Sequence, residues 1–135
     1  MRRLILLLFL LLLPAACSRK PSYPHREPPK GILGNSAHEA VGGALFEEHC
    51  VACHGTLTEG RSPAATHLVP QPTDLSSPPM RTLDPAFLFW RISKGKTVEP
   101  YLSEGSVMPA WGRYFSDRQI WDLVAYLRQR SVSDN

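Results

Sequence analysis

The chain has 135 residues, with 15 Lys+Arg against 12 Asp+Glu, a formal net charge of +3 and three cysteines, a length that suits one domain. The positive balance sits outside that domain: residues 18–36 hold Arg19, Lys20, Arg26 and Lys30 against Glu27, whereas 37–135 hold nine Lys/Arg against eleven Asp/Glu, a balance of −2. With no basic stripe on the globular part, the charge pattern argues against nucleic acid as a partner.

The chain opens Met1-Arg2-Arg3, continues as an unbroken apolar run from Leu4 to Leu13, and reaches Pro14-Ala15-Ala16-Cys17. A basic start, an apolar stretch and small residues at a cut site make a secretory signal, assigned to residues 1–16. The rival reading is an uncleaved membrane anchor, for which the thirteen mainly apolar residues of 4–16 fall short of the ~20 needed to span a bilayer. Leu13-Pro14-Ala15-Ala16-Cys17 also resembles a bacterial lipoprotein signal, which implies that Cys17 becomes the lipidated first residue of the mature chain. Pro14 departs from that pattern, standing where an aliphatic residue is usual. The alternative is ordinary cleavage that leaves Cys17 a free thiol. The resemblance implies a firm anchor through several acyl chains on the periplasmic side of a bacterial membrane, with Ser18 pointing to the outer one. Without lipid the protein would be soluble in the periplasm or outside the cell.

Residues 17–36 contain Pro21, Pro24, Pro28 and Pro29 and few apolar side chains. They bury too little to fold and are expected to be an extended, mobile, basic tether. At ~3.1 Å per residue in polyproline geometry the tether reaches at most ~60 Å, and its charge favours anionic head groups. The bland reading is a remnant without a role.

A helix is expected from an N-cap at Ser36 to about Cys50. Cys50-Val51-Ala52-Cys53-His54 comes next: two cysteines three apart with a histidine immediately after, the spacing of covalent c-type haem attachment. Positions i and i+3 of a helical turn share a face. Each thiol can therefore form a thioether to one haem vinyl group, and the adjacent imidazole then lies under the iron. A redox disulfide would want a βαβ context and a structural zinc a second Cys/His pair, and the sequence has neither pattern.

From Thr56 to Leu83 the chain holds Pro63, Pro70, Pro72, Pro78 and Pro79 without helical or alternating periodicity, and reads as a long loop wrapped around the macrocycle. Asp84 and Pro85 are the N-cap and first residue of a helix over Ala86 to Lys94, which Gly95 is expected to end as a left-handed cap. Phe87-Leu88-Phe89-Trp90 is apolar on all faces, as suits a helix between haem and protein or an ordinary core helix. A second loop covers 96–115. The last helix starts at Ser116, where Gln119 completes a capping box, and carries Ile120, Leu123, Val124 and Leu127 at helical spacing. No strand pattern or internal repeat is visible. Candidates for the iron's second axial position are Met80, Met108, His25, His38, His49 and His67. Pro109 restricts Met108 to extended backbone, and its fixed φ stiffens the loop on its C-terminal side, which suits a thioether held at one point. Met80 reads as haem-edge packing or solvent-facing, His25 lies in the tether, His49 projects away from the ring, and His38 and His67 read as surface histidines.

Three blocks in order make residues 38–130 resemble a class I (mitochondrial-type) cytochrome c of the small bacterial mono-haem kind. Gly42-Gly43-Ala44-Leu45-Phe46-Glu47-Glu48-His49-Cys50-Val51-Ala52-Cys53-His54-Gly55 is similar to that family's first helix and attachment segment. Val107-Met108-Pro109-Ala110-Trp111 is similar to its methionine-ligand loop, and Ile120-Trp121-Asp122-Leu123-Val124-Ala125-Tyr126-Leu127-Arg128 to its closing helix. The resemblance implies an all-α fold of three to four helices with long loops around one covalent haem c, a domain at 37–131 and a disordered tail at 132–135. It implies Cys50 and Cys53 as the covalent attachments and His54 and Met108 as the axial ligands. First and last helices should cross closely, Gly42 and Phe46 against Leu123 and Tyr126. A proline carbonyl, from Pro63 or Pro70, should face the free N–H of the axial histidine, and Arg81, Arg91, Trp90 and Trp111 are candidate propionate partners.

Two axial ligands leave the iron no open site, so the implied function is one-electron outer-sphere transfer at a membrane surface between unidentified redox proteins, not catalysis. The alternative is a cytochrome subunit fixed in a larger respiratory or oxidising complex. An open-site haem enzyme or gas sensor would need a distal acid/base or a second domain, and neither is visible.

Overall fold

The structure, a computed structural model, describes residues 21–130; the assigned signal 1–16, Cys17 and the tail 132–135 lie outside the described residues. Its helices are α1 (Ser36–His49), α2 (Val51–His54), α3 (Pro85–Lys94) and α4 (Asp117–Arg130). The two long loops are broken by 3₁₀ turns at Pro63–Ala65, Pro78–Thr82 and Trp111–Arg113. No strand occurs among the described residues, so the fold is all-α, and no helix there is long and apolar enough to cross a membrane.

Local chemistry sets the helix ends. Asn35, rather than the expected Ser36, caps α1, its side chain accepting from the Ala37 N–H at 3.0 Å. Asp84 caps α3 by accepting from the Ala86 N–H at 2.9 Å, with Pro85 in the first position where its missing N–H costs nothing. Gly95 ends α3 at φ 61° but ψ −153°, outside the left-handed helical cap expected of it. α4 begins on a reciprocal capping box: the Gln119 N–H donates to Ser116 Oγ at 3.3 Å, and the Ser116 N–H donates to Gln119 Oε1 at 3.0 Å.

α1 crosses α4 at Gly42. A Cβ there would overlap the Asp122 carbonyl oxygen and stand 2.9 Å from Tyr126 Cβ, so the missing side chain is what lets the backbones approach. One helical turn on, Phe46 meets Tyr126 at 5.3 Å between ring centroids, over a floor of buried Ile120, Leu123 and Val124. His38 is not the free surface histidine the sequence suggested. Its Nδ1 lies 2.8 Å from the buried Asp122 carboxylate, and Arg118 approaches the other ring nitrogen at 2.9 Å.

The largest departure from expectation is the segment 21–35, which lies against the domain instead of hanging free. The Tyr23 hydroxyl donates to Asp84 at 2.8 Å, and its ring packs on Phe87 and Trp90 at 5.3 and 5.9 Å. Arg26 pairs with Asp117 at 2.6 Å and covers the Phe89 ring at 4.7 Å. Ile32 is 1% exposed and belongs to the core. Composition hid this, because a few well-placed side chains suffice when an apolar helix face needs a cover. One face of α3, whose apolar run suited either haem or ordinary core packing, is partly covered by this arm. Ile32→Ala should therefore lower stability by about 2–5 kcal/mol, the usual cost of emptying a closed aliphatic site. A thermal melt of the haem-loaded protein unmoved by the substitution would show that the arm is no part of the core.

Candidate functional site

Cys50 is the joint between α1 and α2. Its N–H donates to the Phe46 carbonyl at 2.8 Å, and its own carbonyl accepts from the N–H groups of Cys53 and His54 at 3.1 and 2.9 Å. That single turn brings Cys50, Cys53 and His54 together on adjoining positions of one helical face. Both thiols are unpaired and half-buried. Burial pushes the Cys50 thiol up to about 11, and neighbouring Cys53 adds to the rise. Redox-active Cys-x-x-Cys pairs rely on a depressed thiol pKa, so this environment is the opposite of theirs. Among the described residues no group of three or more His, Cys, Asp or Glu could hold a metal ion, so the pair lacks the further donors of a structural zinc.

The His54 Nδ1 lies 3.1 Å from the Thr73 carbonyl. A carbonyl can only accept, so Nδ1 carries the proton and Nε2 keeps its lone pair for a metal. Burial lowers the His54 pKa, the charges of Lys96 and Arg130 act the same way, and the Thr73 hydrogen bond opposes them; the imidazole is held in its neutral, ligating form. The carbonyl comes from Thr73 and not from Pro63 or Pro70. Pro63 is instead committed to a 3₁₀ turn capped by Ser62. The turn after Thr73 aims the carbonyl: Asp74 Oδ1 accepts from the Ser76 N–H and hydroxyl at 2.9 and 2.7 Å, and the Ser77 hydroxyl donates to the Asp74 carbonyl at 2.8 Å. The two Ser76 bonds hold the Asp74 carboxyl below its usual range, the Ser76 hydroxyl contributing most. The Asp74-Leu75-Ser76-Ser77 turn signature was readable in the sequence; what it turned toward was not.

Met108 is half-buried on a loop pinned to the end of α3. The Lys96 N–H donates to the Met108 carbonyl at 3.1 Å. A Cβ on Gly95 would overlap the Pro109 carbonyl, and one on Gly112 would stand 2.6 Å from Ser93 Oγ, so two glycines let the loop lie flat on the helix end. Met80 is buried in the core at 4% exposure, which removes its solvent-facing reading. The other candidates are engaged elsewhere: His25 with Glu27, His38 with Asp122, and His49 packed at a tilt against Trp111 and Phe115, with ring centroids 5.7 and 5.2 Å away. His67 is exposed.

Two cations beside this loop want an anion. Arg91 is 9% exposed; its Nη1 donates to the Gly95 carbonyl at 3.1 Å, while Nη2 is buried without a partner. Its guanidinium covers the Tyr101 ring at 4.0 Å, and the Lys96 ammonium approaches the same ring at 5.3 Å. Burial lowers the Lys96 pKa and Arg91 lowers it further. Two like charges over one ring, one of them with an orphan donor, suit a carboxylate-bearing ligand. Of the other proposed carboxylate partners, Arg81 is exposed and Trp111 is stacked on Phe115 at 5.1 Å, while Trp90 lies under Tyr23. A pair of free, half-buried thiols, an imidazole with a free Nε2 and an unsatisfied buried guanidinium together fit a haem with its two propionates.

No curated protein matches the chain. The family model described as "Cytochrome C oxidase, cbb3-type, subunit III" matches residues 37–127.

Proposed function

The chain belongs to the cytochrome c oxidase, cbb3-type, subunit III family and is a small class I c-type cytochrome acting in haem-based electron transfer; from that premise we propose a mono-haem, one-electron carrier with His54 and Met108 as axial ligands. The observation that carries the reading is the His54 Nδ1 contact with the Thr73 carbonyl, 3.1 Å long, beside two half-buried thiols. The bound haem supplies a ferric/ferrous couple whose potential a thioether ligand raises. Cys50 and Cys53 would hold the haem covalently, each S–H adding across one vinyl double bond to give a C–S and a C–H bond with no leaving group. A thioether has no proton to lose, so bonding also removes the ionisation that burial disfavours at Cys50. Thr73 fixes the imidazole's tautomer and rotation. Arg91 and Lys96 would hold the propionates, which would keep those carboxylates from lying unpaired against the apolar core. The mature protein is anchored through Cys17 on the periplasmic side of the membrane and exchanges electrons with redox proteins there.

An intact mass of protein from a host competent in cytochrome maturation tests this: the mature chain should carry one haem, and Cys50→Ser with Cys53→Ser should remove it. Folded but colourless wild-type protein would end the reading. The family description favours a second reading, in which the domain is a fixed subunit of a terminal oxidase. Mild detergent purification from the native membrane separates the two, a stoichiometric partner supporting the subunit.

A further inference from the structure

Arg130 is the last residue of α4, and its side chain turns back into the protein, where it is wholly buried at 0% exposure. Nη2 donates to the carbonyls of Thr56 at 2.5 Å, Glu59 at 2.6 Å and His54 at 3.4 Å, and Nη1 donates to the Gly55 carbonyl at 3.2 Å. The guanidinium carbon lies 4.8 Å over the Phe46 ring, and Nε has no partner. Among the described residues no carboxylate pairs with it. Glu59, the acid nearest in sequence to these carbonyls, points its carboxylate at the Thr56 N–H and hydroxyl, at 2.9 and 3.1 Å.

Neutral donors could satisfy four carbonyls without burying a charge, and burying an unpaired ion is costly. Arginine cannot escape that cost by losing its proton. The charge is therefore permanent, only partly offset by the Glu59 carboxylate on which it acts, and it stands against the turn that carries His54. A reduction that lowers the charge at the iron by one is favoured by a fixed cation nearby, and more so in a low-dielectric interior.

We propose that Arg130 is a positioning and potential-setting residue: it ties the closing helix to the haem-attachment turn, and its buried charge favours the reduced iron. The inference rests on the haem reading above. The test is spectroelectrochemistry with thermal melts on the haem-loaded full chain, comparing wild type, Arg130→Gln and Arg130→Lys. Arg130→Gln should lower the ferrous-to-ferric ratio at a fixed potential by up to about tenfold, which is 59 mV for a one-electron couple. Arg130→Lys should keep most of the wild-type potential while its melting temperature falls, because an ammonium keeps the charge but cannot span four carbonyls. A glutamine variant with lowered melting temperature and unmoved potential would overturn the electrostatic role. If that variant does not load haem, the lysine variant decides: a potential displaced by the full tenfold would show geometry, not charge, at work. Colourless wild-type protein would fail the haem reading itself, whereas a coloured protein indifferent to Arg130→Gln would fail only this inference.

Discussion

Met108→Ala should lower the midpoint potential of the haem-loaded protein by on the order of 0.1 V, a fraction of the ~0.8 V that axial ligands span, and should let carbon monoxide bind the ferrous form. A thioether is a weak donor that stabilises ferrous over ferric iron, so its loss moves the potential down and opens one coordination position. The loop around Met108 is held independently of the sulfur, by the Lys96 hydrogen bond to its carbonyl and by the close seats at Gly95 and Gly112. The substitution should therefore remove a ligand without dismantling the loop. Met80→Ala is the control. Met80 is buried in the core, so its truncation should cost about 2–5 kcal/mol of stability and leave the iron closed to carbon monoxide. Free binding of the gas by the wild type, with a potential indifferent to Met108→Ala, would remove Met108 from the iron.

Gly42→Val should destabilise the haem-loaded protein by on the order of 3 kcal/mol, or roughly 12–24 °C in melting temperature for a domain of this size. The atom that a Cβ would strike is the Asp122 carbonyl oxygen, part of α4's own hydrogen-bonded backbone, with Tyr126 Cβ beside it. Neither can swing aside as a long side chain could, so the helices must separate and loosen the seat of Phe46. Gly43→Ala tests the same crossing gently. Its Cβ would meet only the edge of the Tyr126 ring at 3.3 Å, which a small ring rotation relieves, and alanine's better helix propensity returns up to about 1 kcal/mol. Equal losses at the two positions would refute a crossing centred on Gly42.

Much of the fold was legible because its signals are local. The Ser116/Gln119 capping box, the Asp84-Pro85 start of α3 and the periodic Ile120, Leu123, Val124 and Leu127 all act within a turn or two, so neighbouring residues suffice to read them. The Cys50-to-His54 spacing is legible for the same reason, because the geometry it encodes is that of one helical turn. The assignment of a proline carbonyl to His54 failed, since the partner is 19 residues away in a loop without periodicity.

What the sequence determined by itself is the Cys50-to-His54 turn and the helix boundaries to within a residue, consequences of short-range backbone geometry, while the glycine at the crossing was implied by the family resemblance. Only the tertiary structure decided that Thr73 faces the imidazole, that Arg91 keeps a buried donor unpaired, that Tyr23 and Arg26 cover part of α3, and that Arg130 reaches back over the Cys50-to-His54 turn. Each of these joins chain segments distant in sequence, and the energy that selects them comes from burying surface or pairing charge. Such terms depend on which groups meet after the chain has closed, and no local pattern records them.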